Sequence, residues 1–315
     1  MEEEKMPEEK EPYIGSVRFF KNMILLAVII FIAVPTVLAV YFWRLSEGRE
    51  RDLSEYIGRY EAAQTALEEQ IEAQKEQKRE AEAISYQQLY PDFYVTEPMP
   101  EAVAEPGTMY LTFDDGPSGN TEEILSILRE KDVKATFFVV TRGGETAVSD
   151  MKQIVEEGHT LGMHSYTHDY HTIYDSVEAF LEDYYQLFTL IRDEVGVTPT
   201  VFRFPGGSIN AYNQGVYQEI IAEMLRRGFI YYDWNLSAED AFSVSPSREE
   251  ILHNILDSSG NVSRGIVLMH DSNHCETTVE ALPKLIDSLR EQGFVFRRID
   301  RTVKPVIFNY KDNVS

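Results

Sequence analysis

Residues 108–117 read TMYLTFDDGP, a run of β-branched and aromatic side chains that ends in two acids and a Gly-Pro pair. Such a run, bounded by a turn signal, predicts a buried strand over 108–113. Asp114 and Asp115 then stand at the carboxyl end of that strand. Two adjacent acids at a strand end are often only a turn signal, so the pair alone leaves open whether this is a turn or a reactive site.

The same pattern continues towards the C-terminus. Short β-rich runs at 135–140, 160–163, 200–203, 229–232, 265–269 and 294–297 alternate with amphipathic helical stretches near 121–131, 147–157, 176–195, 214–227, 248–258 and 279–292. Alternating strands and helices predict an α/β fold with a parallel sheet. This number of strands predicts a barrel slightly smaller than the eight-stranded one, and a doubly wound open sheet is the alternative.

Polar side chains follow several more of these strands. They are the segments 164–168 (HSYTH), 203–207 (RFPGG), 233–234 (DW) and 270–271 (HD). In parallel barrels and open α/β sheets the active site lies at the carboxyl ends of the strands. We therefore expect these clusters to meet the Asp114–Asp115 pair at one place.

The residue types at these strand ends are typical of a catalytic metal site. His164 and His168 are four positions apart and would face the same side of a helical turn. With one carboxylate from the Asp114–Asp115 pair they would make a three-ligand site with an open position, the pattern of catalytic zinc and of other divalent metals. The second acid would remain free as a base, because the metal engages the lone pairs of the first.

Five motifs in this order resemble those of the NodB-homology polysaccharide deacetylases, carbohydrate esterase family 4. TFDDGP at 112–117 is similar to the first motif, HSYTH at 164–168 to the second, and LMHD at 268–271 to the fifth. RFPGG at 203–207 resembles the third in a variant form, since a second proline and an aromatic residue are more usual there. Asp233-Trp234 resembles the fourth. We therefore predict a deacetylase domain over 107–305 and a C-terminal tail over 306–315.

The resemblance implies a distorted (β/α)₇ barrel and a hydrolase of linear amides that uses a divalent metal. Zn²⁺ is the expected ion, with Co²⁺ or another divalent ion as alternatives. The implied metal ligands are Asp115, His164 and His168. The implied substrate contacts are the backbone N–H of Phe204 for the oxyanion, and the side chains of Trp234 and Leu268 around the acetyl methyl group.

The resemblance also implies an acid and a base. Asp114 would be the general base, oriented by Arg203. His270 would be the general acid, oriented by Asp233. These roles depend on the motif assignment, and Asp240, seven positions after Asp233, is interpreted here as either a second acid in the groove or a helix cap.

The N-terminal part carries a candidate membrane anchor. Residues 23–43 contain no charge, and at about 1.5 Å per residue such a helix spans roughly 31 Å, which matches a bilayer core. A cleaved signal peptide is the alternative, but the apolar run is long for one and ends in aromatic residues. We predict a cytoplasmic tail over 1–22 and a single-pass anchor over 23–43 in the cell membrane. Positive charges flank both sides, so the extracytoplasmic placement of the catalytic domain rests on its chemistry.

Residues 44–106 are predicted to be a helical stalk followed by a linker. Large side chains recur at alternating spacings of three and four from Leu53 to Gln74. This pattern favours either a coiled coil that makes a homodimer or a solvated single helix that acts as a spacer. Four prolines between positions 91 and 106 then end the helix and indicate the linker.

The net charge of the chain limits the classes of partner that it can bind. The formal net charge of −24 would repel phosphates, which excludes nucleic acid as a non-specific partner. The anchor and the motifs together predict hydrolysis of acetamide groups on an N-acetylated polysaccharide of the cell envelope, with peptidoglycan as the first candidate. Poly-N-acetylglucosamine, chitooligosaccharides and acetyl-xylan are alternatives, as is a non-catalytic envelope scaffold with a relict barrel.

Overall fold

The structure is a computed structural model that describes residues 17–45, 50–141, 146–241 and 246–308. The chain divides into two compact units, Met1–Ala81 and Glu82–Ser315. Most of the predicted cytoplasmic tail, residues 1–16, and the end of the predicted C-terminal tail, residues 309–315, lie outside the described part of the chain.

Two long helices make up most of the N-terminal unit. Helix α1 spans Val17–Leu45 and helix α2 spans Glu50–Gln87. Within α1, Phe19–Leu38 is long and apolar enough to cross a membrane, and none of its most apolar stretch is buried against protein. The predicted stalk is therefore helical, and the predicted span overlaps an exposed apolar helix. Leu67 and Ile71 of the predicted seam are exposed on α2.

The second unit alternates strands and helices, as predicted. Its strands are β1 Thr108–Asp114, β2 Thr136–Val139, β3 Thr160–Met163, β4 Val201–Phe202, β5 Ile230–Tyr231, β6 Leu236–Ser237, β7 Gly265–His270 and β8 Val295–Phe296. Its helices are α3 Thr121–Glu130, α4 Ala147–Glu156, α5 Tyr170–Ile173, α6 Val177–Leu190, α7 Tyr217–Arg226, α8 Arg248–Ser259 and α9 Glu276–Glu291. A π-helical turn, Ile191–Val195, extends α6.

The strands form one parallel sheet in the order β5-β4-β3-β2-β1-β7-β6, and β8 pairs with the start of β1. The chain crosses from one edge of this sheet to the other between β5 and β6. Tyr232 N–H, just after β5, donates to Phe202 O in β4 at one edge. Asn235 N–H, just before β6, donates to Ile266 O in β7 at the other edge. The sheet is the distorted parallel barrel that the motifs implied, and no ladder among the described strands joins its edge strands β5 and β6. Strand β6 was not predicted, because two residues are too short a run to show a period.

Alternation along the strands separates an inner layer from an outer core. In β1, Tyr110 packs in the inner cluster with Ile266 of β7, whereas Met109 and Leu111 pack in the larger cluster that also contains helix residues. Side chains two apart on a strand share a face. Asp114 therefore continues the inner row of β1, and His270 continues that of β7. Both lie at the carboxyl end of the barrel interior.

The compact unit begins before the predicted boundary at residue 107. Phe93 is fully buried, and Tyr86 and Val95 are nearly so. The buried guanidinium of Arg227 donates to the carbonyls of Tyr86 and Leu89, at 3.1 and 2.9 Å. The prolines of this stretch therefore mark a turn-rich segment that packs on the core, and the first part of the predicted linker belongs to the catalytic unit.

Candidate active site

Three potential metal ligands meet at the carboxyl end of the barrel. Donor atoms of Asp115, His164 and His168 all lie within 4.8 Å of one another. Oδ1 of Asp115 is 3.0 Å from Nε2 of His168 and 3.5 Å from Nε2 of His164. Asp115 has a positive φ of 70° and His168 one of 54°. Non-glycine residues seldom adopt this conformation, and such residues cluster where a site requires a particular side-chain direction.

The donor set fits a divalent metal. Apart from the two imidazoles, Oδ1 of Asp115 is buried and has no hydrogen-bond partner among the residues that the structure describes. A buried carboxylate oxygen without a partner is costly, and a cation would satisfy it. Two imidazoles and one carboxylate leave coordination positions open, as in catalytic zinc sites. The same ligands also suit other divalent ions, so the site by itself does not select the metal.

His164 is held in the state that a metal requires. Its Nδ1 lies 2.9 Å from the carbonyl oxygen of Arg203. A carbonyl only accepts, so Nδ1 carries the proton and the lone pair of Nε2 faces the cluster. Burial lowers the pKa of His164, against the raising effect of Asp114 and Asp115, and this favours the neutral ligand form.

Asp183, on α6, fixes the loop that carries both histidines. Its Oδ2 accepts from Ser165 Oγ and Tyr166 N–H, both at 2.7 Å, and its Oδ1 accepts from the backbone N–H and Oγ1 of Thr167, at 2.9 and 2.7 Å. Ser165 Oγ in turn accepts from the N–H of His168 at 2.8 Å. The carboxylate is almost fully buried. Asp183 was not predicted, although an acid on the otherwise apolar face of a helix was its sequence signal.

Asp183→Ala is expected to weaken metal binding by roughly 10- to 100-fold, because groups behind metal ligands typically contribute that much. Competition with a chelating indicator would measure the affinity. The matched control is Glu182→Ala, which removes an exposed acid from the same helix and should leave the affinity unchanged. Unchanged affinity in Asp183→Ala would show that the loop holds its shape without this carboxylate.

Asp114 is positioned on the other side of the cluster. Its Oδ1 accepts from Nη1 of Arg203 at 2.8 Å, and its Oδ2 lies 3.7 Å from Nε2 of His164. Arg203 is fully buried, also donates to Thr112 Oγ1 at 2.7 Å, and stacks on the Phe138 ring at 4.4 Å. The guanidinium thus has its direction fixed by several contacts, and it presents one donor to Asp114.

His270 is paired with Asp240. Nδ1 of His270 lies 2.7 Å from Oδ1 of Asp240, and the His270 N–H donates to Oδ2 at 3.0 Å. Thr278 Oγ1 donates to the same Oδ2 at 2.7 Å. Burial would lower the pKa of His270, but the hydrogen bond and charge of Asp240, with Asp114 and Asp115 nearby, outweigh it and raise the pKa to about 9. His270 is therefore protonated at neutral pH.

The structure corrects the prediction that Asp233 orients His270, because His270 is paired with Asp240. Asp233 accepts from Ser208 N–H at 2.8 Å, from Ser208 Oγ at 2.5 Å and from Phe308 N–H at 2.8 Å. Burial raises its pKa, while these hydrogen bonds lower it. Asp233 thus braces the loop after β4 and the end of the described chain. Asp240 takes the position beside His270 because β6 pairs with β7 and Asp240 follows β6.

Asp240→Asn is expected to move the alkaline limb of the pH profile. The carboxylate raises the pKa of His270, so its loss lowers that pKa, and the protonated acid is lost at a lower pH. If the pKa that sets this limb falls from about 9 to below neutrality, the variant loses kcat/KM at both pH values, and its loss at pH 8 is about tenfold larger than its loss at pH 6. Asp233→Asn is the control and should leave the limb in place. A limb that moves only in Asp233→Asn would restore the assignment made from the sequence.

Asp271 anchors the turn that follows the two acids. Its Oδ1 accepts from Ser118 Oγ and its Oδ2 from Thr121 Oγ1, both at 2.6 Å. A Cβ added to Gly116 would lie 2.3 Å from Oδ2 of Asp271, so only glycine fits between the turn and this carboxylate. The Gly-Pro pair after Asp115 therefore has a packing reason.

The three predicted substrate contacts lie around the same end of the barrel. Phe204 packs its ring in the outer core, and no other described residue accepts a hydrogen bond from its backbone N–H. Leu268 is two residues before His270 on the same face of β7, and its register partner in β1 is Thr112. Trp234 is half-buried, with its ring 4.9 Å from that of Phe308 and 5.7 Å from the Arg203 guanidinium.

Comparison with known proteins gives the class of this chain. The polysaccharide deacetylase family model matches residues 102–224. Putative polysaccharide deacetylase YheN of Bacillus subtilis (strain 168) is 30% identical over 230 residues, which is 72% of this chain and 79% of that protein. A peptidoglycan-N-acetylglucosamine deacetylase of Bacillus cereus is 31% identical over 191 residues, 59% of this chain and 67% of that one.

A solved structure agrees with these relatives. The catalytic domain of peptidoglycan N-acetylglucosamine deacetylase from Eubacterium rectale ATCC 33656 superposes with a TM-score of 0.64 at 30% identity, over 68% of this chain and 98% of that one. The chain belongs to the polysaccharide deacetylase family, whose members are hydrolases. The resemblance drawn from the motifs and the barrel that it implied are both confirmed.

Proposed function

We propose that this protein is a metal-dependent deacetylase that hydrolyses acetamide groups on an N-acetylglucosamine polymer of the cell envelope. One observation carries the proposal: the buried Oδ1 of Asp115 lies against Nε2 of both His164 and His168 and has no other hydrogen-bond partner among the described residues. An acid-base pair for hydrolysis, Asp114 and His270, stands on neighbouring strands beside this cluster.

The metal would be held by Asp115, His164 and His168, with Zn²⁺ as the first candidate and Co²⁺ as an alternative. When bound, such an ion supplies Lewis-acid polarisation and eases deprotonation of water. Asp114 accepts a proton from the attacking water, and the Nη1–H of Arg203 keeps its other carboxylate oxygen engaged. The N–H of Phe204 donates to the developing oxyanion.

His270 completes the reaction as the acid. Its Nδ1–H donates to Asp240, which leaves Nε2–H to protonate the departing amine. With a pKa raised to about 9, His270 arrives protonated at neutral pH. Cleavage of the C–N bond then releases acetate and a free amino sugar. Leu268 lies one step deeper on the same face of β7, where it can wall the acetyl methyl group.

Peptidoglycan is the polymer that we propose. The relatives from B. cereus and E. rectale are named for action on peptidoglycan N-acetylglucosamine, which supports this choice. Poly-N-acetylglucosamine, chitooligosaccharides and acetyl-xylan are the alternatives. A non-catalytic scaffold is disfavoured, because every acid, base and ligand that hydrolysis requires is present.

Acetate release from purified peptidoglycan, chitooligosaccharides and acetyl-xylan, with and without a chelator, tests the proposal. We expect the highest kcat/KM on peptidoglycan and loss of all activity after chelation. A higher kcat/KM on acetyl-xylan would overturn peptidoglycan as the proposed substrate. Absence of acetate from every substrate, with metal bound, would favour the scaffold.

Anchoring in the membrane is part of the same proposal. The exposed apolar helix Phe19–Leu38 can span a bilayer, with the catalytic unit on the outer side where the polymer lies. Protease added to spheroplasts should then digest the catalytic unit, and protection of that unit until the membrane is lysed would contradict the topology. A homodimer through α2 remains a prediction from its heptad spacing.

A further inference from the structure

Tyr212 is an aromatic side chain left in solvent beside the catalytic centre. It is 52% exposed, and of the tyrosine, phenylalanine and tryptophan residues described from Glu82 onward it alone is exposed. An exposed aromatic ring carries an apolar face together with a polar edge, and such rings are frequent where a ligand with the same mixed character binds.

The ring is connected to the metal site through one neighbour. Tyr212 and Tyr170 have ring centroids 5.1 Å apart, and Tyr170 and His168 have centroids 5.3 Å apart in an edge-to-face contact. Tyr212 is thus one aromatic ring removed from a predicted metal ligand. That separation suits a neighbouring sugar of a polymer better than the acetyl group under attack.

The variant third motif makes room for this arrangement. Gly206 has a φ of +74°, and a Cβ there would lie 2.9 Å from Cε1 of Tyr170. Position 206 therefore has no room for a side chain, because the ring of Tyr170, at the start of α5, packs against it.

The loop that presents Tyr212 is rigidly braced. Oδ1 of Asn210 accepts from Tyr212 N–H at 2.8 Å, and its amide donates to the carbonyls of Pro205 and Gly207 at 3.1 Å. Asn213 is fully buried and bonds back to Ser208 O at 3.1 Å. A ring held on a fixed loop loses little entropy when a ligand stacks on it.

Building on the proposed deacetylase function, we propose that Tyr212, backed by Tyr170, is a saccharide-stacking subsite. It binds the pyranose ring next to the sugar being deacetylated. The apolar C–H face of that ring packs on Tyr212. The contact contributes to recognition of the polymer and touches neither the reacting bond nor the metal.

Tyr212→Ala tests the subsite through substrate length. It should lower kcat/KM on an oligomer of N-acetylglucosamine by roughly three- to tenfold, the loss expected for one aromatic contact. A small acetyl ester such as 4-nitrophenyl acetate cannot reach the subsite, so its hydrolysis should be unchanged. Tyr212→Phe keeps the stacking face and should behave as the parent. Leu225→Ala removes an exposed apolar side chain from α7 and is the control.

The outcomes separate the subsite from the function on which it rests. Equal kcat/KM on the oligomer for Tyr212→Ala and the parent, in an enzyme that deacetylates it, overturns the subsite alone. An equal loss on the oligomer and the small ester also overturns it, because the effect would then be structural. Absence of activity in the parent on every acetylated substrate overturns the deacetylase function instead.

Discussion

His168→Ala is expected to remove bound metal and hydrolysis together. In the proposed metal site this residue supplies one of three ligand atoms, and its Nε2 lies 3.0 Å from Asp115 Oδ1. Two remaining ligands hold a divalent ion too weakly for catalysis, and loss of its Lewis-acid contribution amounts to several kcal/mol, or about 10³-fold in rate. Metal content by mass spectrometry and acetate release from the oligomer measure the two effects on the same sample.

The control for this variant is His253→Ala. His253 lies on the surface of α8, where its side chain is 72% exposed beside Asp257. Its replacement should change neither metal content nor rate. Full metal content in His168→Ala would show that the ligand set is wrong, and full activity without metal would show that hydrolysis does not depend on the ion.

Asp114→Asn is expected to separate metal binding from proton transfer. The amide has nearly the shape of the carboxylate, and its oxygen can still accept from Arg203, but it cannot take a proton from water. We expect near-normal metal content and a rate lowered by about 10²–10⁴, the usual contribution of a positioned base. Both acetamide and acetyl-ester substrates should suffer, because each needs an activated water.

His270→Ala is the comparison that distinguishes the acid from the base. An acetyl ester has a better leaving group than an acetamide and needs the proton less. The variant should therefore lose more activity on the acetamide than on the ester, whereas Asp114→Asn loses activity on both. Equal losses on the two substrates for His270→Ala would remove the acid role from this residue.

Much of this site could be predicted from the sequence, because a buried strand and the polar residue that follows it are enough to place that residue at the carboxyl end of the sheet. Asp114 ends β1, Asp115 follows it, and Arg203 follows β4, so their meeting could be expected from parallel topology. The positive φ angles of Asp115 and His168, which set the directions of both side chains, could not be predicted from the sequence, because each angle depends on tertiary contacts.

Asp240 and Asp183 show where sequence reasoning stopped. The Asp233-Trp234 pair matched the expected motif in letters, and β6, only two residues long, gave no periodic signal to place Asp240 beside β7. Asp183 lies on α6, and it accepts hydrogen bonds from two backbone N–H groups and two side-chain hydroxyls of the loop 165–167. Its position on the apolar face of a helix was the only sequence signal, and that position does not show which loop the carboxylate binds.

Titration of the metal-free protein with Zn²⁺, followed by acetate release from peptidoglycan, tests the central claim most directly. Asp115, His164 and His168 form one cluster of potential ligands among the described residues, which predicts no acetate without metal and a rate that rises in proportion to added ion up to one per chain. Acetate release by the metal-free protein, or a rate that does not respond to the first equivalent of Zn²⁺, would contradict the account.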